Sequence, residues 1–171
     1  PRNSAIMALL CTLVLSGTAL ADSVIKEIFP QAEKVGKARM TYMLWDVYDA
    51  TLYAPQGKFD YGQPFWLDLE YLRSLDGDDI ADRSVEEMRK QGFADEVKLA
   101  AWNTKMKRIF PDVKEGDKII GFYKPNGETI FHNGEKEIGT VKDPDFGKPF
   151  FDIWLSKKTS EPKLRAKLLA E

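Results

Sequence analysis

The sequence predicts an α+β domain, an antiparallel sheet with helices gathered on one face. Three observations carry that prediction. Aromatic and β-branched runs cluster in two places, residues 40–71 and 118–141, rather than alternating with helices. Between and after these clusters lie segments whose apolar residues recur at helical spacing. The connections inside the clusters are short and rich in turn residues, which suits hairpins and not parallel crossovers.

Residues 1–21 are expected to stand outside the fold. Arg2 gives a short positive start, residues 5–15 are apolar, and Ala19-Leu20-Ala21 has the small-x-small form of a secretory cleavage site. The apolar run is too short to span a bilayer. Residues 22–171 then form one domain, introduced by a short lead-in over residues 22–36 in which Val24, Ile25 and Ile28 are apolar and Pro30 interrupts.

The run at residues 38–55, ARMTYMLWDVYDATLYAP, organises the rest. It holds Tyr42, Trp45, Tyr48 and Tyr53, with neither glycine nor proline before Pro55. It reads as a long central strand covered on both faces, with a bend or a break near Asp46 or Asp49. Asp49 is the anomaly, and its carboxylate needs a hydrogen-bond donor or water. Residues 55–64 are a turn-rich connection. Residues 65–71 alternate, placing Phe65, Leu67, Leu69 and Tyr71 on one face and Trp66, Asp68 and Glu70 on the other.

Helix signals follow. Asp78 or Asp79 can cap a helix in which Ala81, Val85 and Met88 share a face, with Gly92 as its stop. A second helix, over residues 94–110, carries Leu99, Trp102, Met106 and Ile109 at spacings that make a core stripe. Strands are expected at 118–124, 128–132 and 137–141, joined by turns at Asn126-Gly127 and Asn133-Gly134. Asp143-Pro144 predicts a helix N-cap and first residue. Phe146, Phe150, Ile153 and Trp154 form the apolar face of that helix, and a short last helix from about Pro162 carries Leu164, Leu168 and Leu169.

Composition narrows the function. The only cysteine, Cys11, lies in the leader, so residues 22–171 hold no disulfide, thiolate nucleophile or cysteine metal site. These residues hold all 27 acidic residues and 24 of the 25 basic ones, a charge of about −3 without a basic cluster, and nucleic acid is not an expected partner. His132 is the sole histidine and is read as a solvated turn residue, which leaves no metal or triad reading. No cofactor is expected, and no transmembrane segment beyond the leader.

With the segments placed, the chain resembles the chalcone isomerase-like family, in particular its exported bacterial branch. WDVYDATLYAP (45–55), LEYLRSL (69–75), SVEEMRKQG (84–92), IFPDVKEGDKI (109–119), FHNGEKEIG (131–139) and DPDFGKPFFDIWL (143–155) carry the likeness in order along nearly all of residues 22–171. The resemblance implies an open-faced β-sandwich with a ligand cleft between sheet and helices, in the periplasm or secreted. Family enzymes close a chalcone to a flavanone, whereas relatives bind fatty acids without catalysis.

Carried over by position, the enzymes' threonine falls at Tyr48 and their arginine near Gly36, with Arg39 the nearest arginine. Their helical tyrosine and asparagine fall at Ile80 and Glu87, and a later hydroxyl residue near Ile153. The catalytic set is therefore not retained, and no catalytic residue is assigned. The resemblance implies a non-catalytic protein binding an apolar or amphipathic small ligand such as a fatty acid. The expected anchors are Arg39, Tyr42, Tyr48, Tyr71 and Arg73, with Arg39 meeting a carboxylate head group. The walls are expected from Trp45, Tyr48 and Leu69 on the sheet and from Met88 or Trp102 on the helices. Two alternatives stand beside it: an isomerase or lyase with a rearranged site, and an envelope protein-interaction module.

Overall fold

The computed structural model describes residues 29–125 and 127–171. The leader, residues 22–28 of the expected lead-in and Asn126 of the first Asn-Gly turn lie outside the described residues.

The run at 38–55 is not one central strand. It is a hairpin of β1 (Ala32–Tyr42) and β2 (Trp45–Pro55), with Tyr42 opposite Trp45 and a two-residue turn at Met43 and Leu44. Met43 has φ +55°, a conformation that such turns ordinarily give to glycine or asparagine. Without either residue the turn left no mark in the sequence. The segment before it, expected as a lead-in, supplies the first half of β1, which becomes an edge strand. The expectation of cover on both faces also fails at the tip, where Trp45 is 62% exposed and Leu44 94%.

β3 (Phe65–Tyr71) pairs with β2, and β4 (Lys118–Tyr123), β5 (Thr129–His132) and β6 (Glu137–Val141) complete a six-stranded antiparallel sheet in chain order. His132 is therefore a strand residue, half-buried against the Phe122 ring, and burial lowers its pKa. Helices α1 (Gly77–Lys90), α2 (Glu96–Ile109), α3 (Gly147–Leu155) and α4 (Pro162–Leu168) pack on one face. This is the open-faced α+β architecture that the sequence predicts.

Helix ends depend on partners distant in sequence. The α1 start is held by Asp112, whose Oδ1 accepts from the Gly77 N–H at 2.9 Å, and neither Asp78 nor Asp79 caps it. Asp95 caps α2 through the Lys98 N–H. Asp143, expected to cap α3, instead closes a turn before the helix, accepting from the Asp145 N–H. It also accepts from Trp102 Nε1 at 2.9 Å, so the indole is satisfied inside the core. Leu99, Trp102, Met106 and Ile109 are all buried.

α4 lies against β1 with no side chain between them at Gly36. A Cβ there would stand 2.2 Å from the Lys167 carbonyl oxygen and 2.5 Å from that of Leu168. Only glycine permits this approach.

Candidate ligand cavity between sheet and helices

One end of the sheet–helix interface is hollow, enclosing about 410 Å³. That volume is within the range of small-molecule sites. The sheet contributes Tyr48, Leu69, Tyr71 and Ile119, and the helices contribute Ile80 and Ser84 from α1 and Phe150, Ile153 and Trp154 from α3. Tyr42, Trp45, Arg73 and Arg83 also line it, beside the β1–β2 tip.

A bulge helps to build this wall. Met40 pairs with Tyr48 but Thr41 pairs with Asp46, leaving Val47 without a partner on β1. Strict alternation would send Val47 and Tyr48 to opposite faces; across the bulge, both line the cavity.

The carboxylates of Asp79 and Glu161 reach the cavity lining, and the Ser84 and Thr159 hydroxyls there donate to backbone carbonyls. The remaining polar groups fall into three sets. Glu87 is buried and fully engaged, bonded by Arg83 Nη2 at 2.9 Å, Lys90 Nζ at 3.3 Å and the Ser160 hydroxyl at 2.5 Å. The Tyr48 hydroxyl accepts from Trp154 Nε1 at 2.9 Å, and burial pushes its pKa up to about 12. Tyr71 and Arg73 form the third set. Tyr71 is 2% exposed, its pKa is raised by burial, and its hydroxyl makes no hydrogen bond to a described residue. Arg73 lies over the Trp45 ring at 4.9 Å and makes no ion pair with a described residue.

Of the residues singled out from sequence, Tyr42, Tyr48, Tyr71 and Arg73 therefore meet in one cavity. Arg39 is not among them. It points from the other face of the sheet, where its guanidinium donates to both Asp49 oxygens at 2.8 and 3.0 Å and to Asp46 at 3.0 Å. The Asp49 anomaly is resolved by the same contact: Arg39 holds the carboxyl below its usual pKa from the directly opposed position on β1. Trp45 and Leu69 line the cavity, whereas Met88 and Trp102 are core residues away from it.

Sequence reasoning ranked Arg39 above Arg83 and missed Ser160. The i,i+4 spacing of Arg83 and Glu87 was a readable signal for an ion pair on one helix face. Ser160 sits in the loop before α4 and carried none. The positions brought forward by resemblance behave differently. Tyr48, Ile80, Glu87 and Ile153 converge on the cavity, while Gly36 lies under α4 where no side chain can enter.

The model of one protein family, described as chalcone isomerase-like, matches residues 35–170. Among solved structures, the crystal structure of a fatty-acid binding protein from Arabidopsis thaliana is similar, with a TM-score of 0.63 at 12% identity over 81% of this chain and 87% of that one. At that identity the likeness speaks for the fold. No curated protein matches the sequence.

Proposed function

The chain belongs to the chalcone isomerase-like family, and within it we propose a non-catalytic binding protein that holds an amphipathic carboxylate, such as a fatty acid, in the sheet–helix cavity. The leader-like sequence at residues 1–21 supports work in the periplasm or outside the cell. The head group is assigned to Arg73 and the Tyr71 hydroxyl rather than to Arg39, whose charge Asp49 and Asp46 already answer. The observation that carries the reading is this pair: a cation without a carboxylate and a buried phenol without an acceptor among the described residues, both facing a mostly apolar hollow. A carboxylate entering such a space must be met by charge and donors, and these are the groups left to meet it.

Catalysis finds less support. Chalcone closure needs a cation on the phenolate and donors for the developing enolate oxygen. Here α4 covers the place of the arginine, and isoleucine and a fully bonded glutamate stand at the helical positions. The name of the Arabidopsis structure adds that this fold carries fatty-acid binding elsewhere.

Titrating a fluorescent fatty acid tests the reading. Arg73→Ala is expected to weaken binding by about 2 kcal/mol, roughly thirtyfold, and Arg39→Ala to leave it unchanged. Equal affinity in wild type and Arg73→Ala, or none in wild type, overturns the assignment.

A further inference from the structure

The turn that joins β1 to β2 carries Tyr42, Met43, Leu44 and Trp45, exposed at 54%, 79%, 94% and 62%. Apart from Val97, these four consecutive residues are the exposed large apolar side chains among the described residues. Folding does not account for them. A two-residue hairpin turn is formed best by asparagine and glycine, yet here Met43 takes φ +55° and Leu44 stands almost wholly in water. Strain and exposed apolar area kept together in one turn point to a use outside the folded chain.

We propose that this tip inserts into the surface of a phospholipid bilayer. The order of groups along it follows the layering of a membrane. Met43 and Leu44 are the apolar extremity, suited to the acyl region. Tyr42 and Trp45 flank them on the paired strands, and amphipathic rings of this kind favour the headgroup level. Behind Trp45 lies Arg73, whose guanidinium has no carboxylate among the described residues and is the charge complement of a lipid phosphate. The other cations beside the tip are answered, Arg39 by Asp49 and Asp46 and Arg83, 5.9 Å from the Tyr42 ring, by Glu86 and Glu87. Insertion is therefore driven by apolar burial, not by a basic patch. Tyr42 and Trp45 also line the cavity, so an amphiphile could pass from bilayer to cavity with its head group kept at the level of Arg73. The docking surface does not depend on the fatty-acid reading, because Met43 and Leu44 take no part in the cavity wall.

The test uses the full chain with phosphatidylcholine vesicles, read by flotation and by quenching of tryptophan fluorescence with brominated lipid. Trp45 is the exposed tryptophan; Trp66, Trp102 and Trp154 are buried. Wild type should float with vesicles, be quenched, and be little released by added salt. The double variant M43N/L44G, which installs a favourable turn, should fold at least as stably and lose partitioning about a hundredfold. It should still bind a soluble fluorescent fatty acid as wild type does, which separates failure of the tip from failure of the cavity. Leu44→Ser alone should lose about tenfold. Equal partitioning of wild type and M43N/L44G overturns the proposal. So does concentration-dependent dimerisation of wild type, without vesicles, that M43N/L44G abolishes, for then a second copy covers the tip.

Discussion

Phe65 and Tyr71 stand at opposite ends of β3 on the same face, about 20 Å apart along the strand. Around Phe65 the space between sheet and helices is filled by rings. Tyr123 stacks on it at 4.7 Å, and Phe59 and Phe151 meet it edge-on at 5.0 Å. One of the two phenols in this cluster is satisfied, since Tyr61 donates to Asp152 at 2.6 Å. Around Tyr71 one ring, Tyr48, approaches at 5.8 Å, the hydroxyl has no partner among the described residues, and the remaining space is the cavity. One strand thus runs from a closed lattice into an opening. At the closed end the Tyr61 hydroxyl has a protein partner, and at the open end the Tyr71 hydroxyl faces the cavity.

The comparison fails if the two ends respond alike to truncation. Phe65→Ala should cost about 3–5 kcal/mol in urea unfolding, because the surrounding rings cannot collapse into the void. A loss below about 1.5 kcal/mol would show the ring cluster to be loosely packed. Tyr61→Phe should cost about 1 kcal/mol, by removing a donor from Asp152 while leaving it the Lys148 ammonium at 2.7 Å. No loss at all would remove the contrast between the bonded and the unbonded phenol.

How much of this was legible depends on whether the cause was local. The alternation of residues 65–71, the stripe from Leu99 to Ile109 and the hairpin at Asn133-Gly134 are local, and their elements are where the sequence places them. The Met43-Leu44 turn was missed because it lacks turn chemistry, and two strands were read as one. That error carried into the site. With β1 and β2 fused, Arg39 and Asp49 stood ten positions apart along one strand, Asp49 in need of a donor and Arg39 given to a ligand. Folded back as a hairpin they are directly opposed and satisfy one another on the outer face. Asp112 and Asp143 show the same limit: each bonds a group more than thirty positions away in the chain. Four of the five anchors, Tyr42, Tyr48, Tyr71 and Arg73, did line the cavity because strand alternation and the bulge at Val47 put them there.

The smallest effect on folding is expected from Tyr71→Phe, and it bears most directly on the open end. Removing a hydroxyl without a partner among the described residues costs no hydrogen bond to them, so stability at pH 8 should change by less than about 0.5 kcal/mol. Alkaline pH supplies a positive signal. Burial raises the Tyr71 pKa above that of an unfolded tyrosine, about 10, so the folded state keeps its proton longer than the unfolded one. The associated stability is complete below pH 10 and is lost as pH rises beyond it. At pH 11 wild type should therefore lose about 1 kcal/mol that Tyr71→Phe retains, with Tyr48 and Tyr61 contributing their own losses to both proteins. Urea midpoints at pH 8 and pH 11 measure both quantities. The same variant should bind a fatty acid about fivefold more weakly, the loss of one hydrogen bond to the carboxylate. A drop of 1 kcal/mol or more at pH 8 would mean that the hydroxyl is bonded in solution, and the open end of β3 would then be as fully satisfied as the closed one.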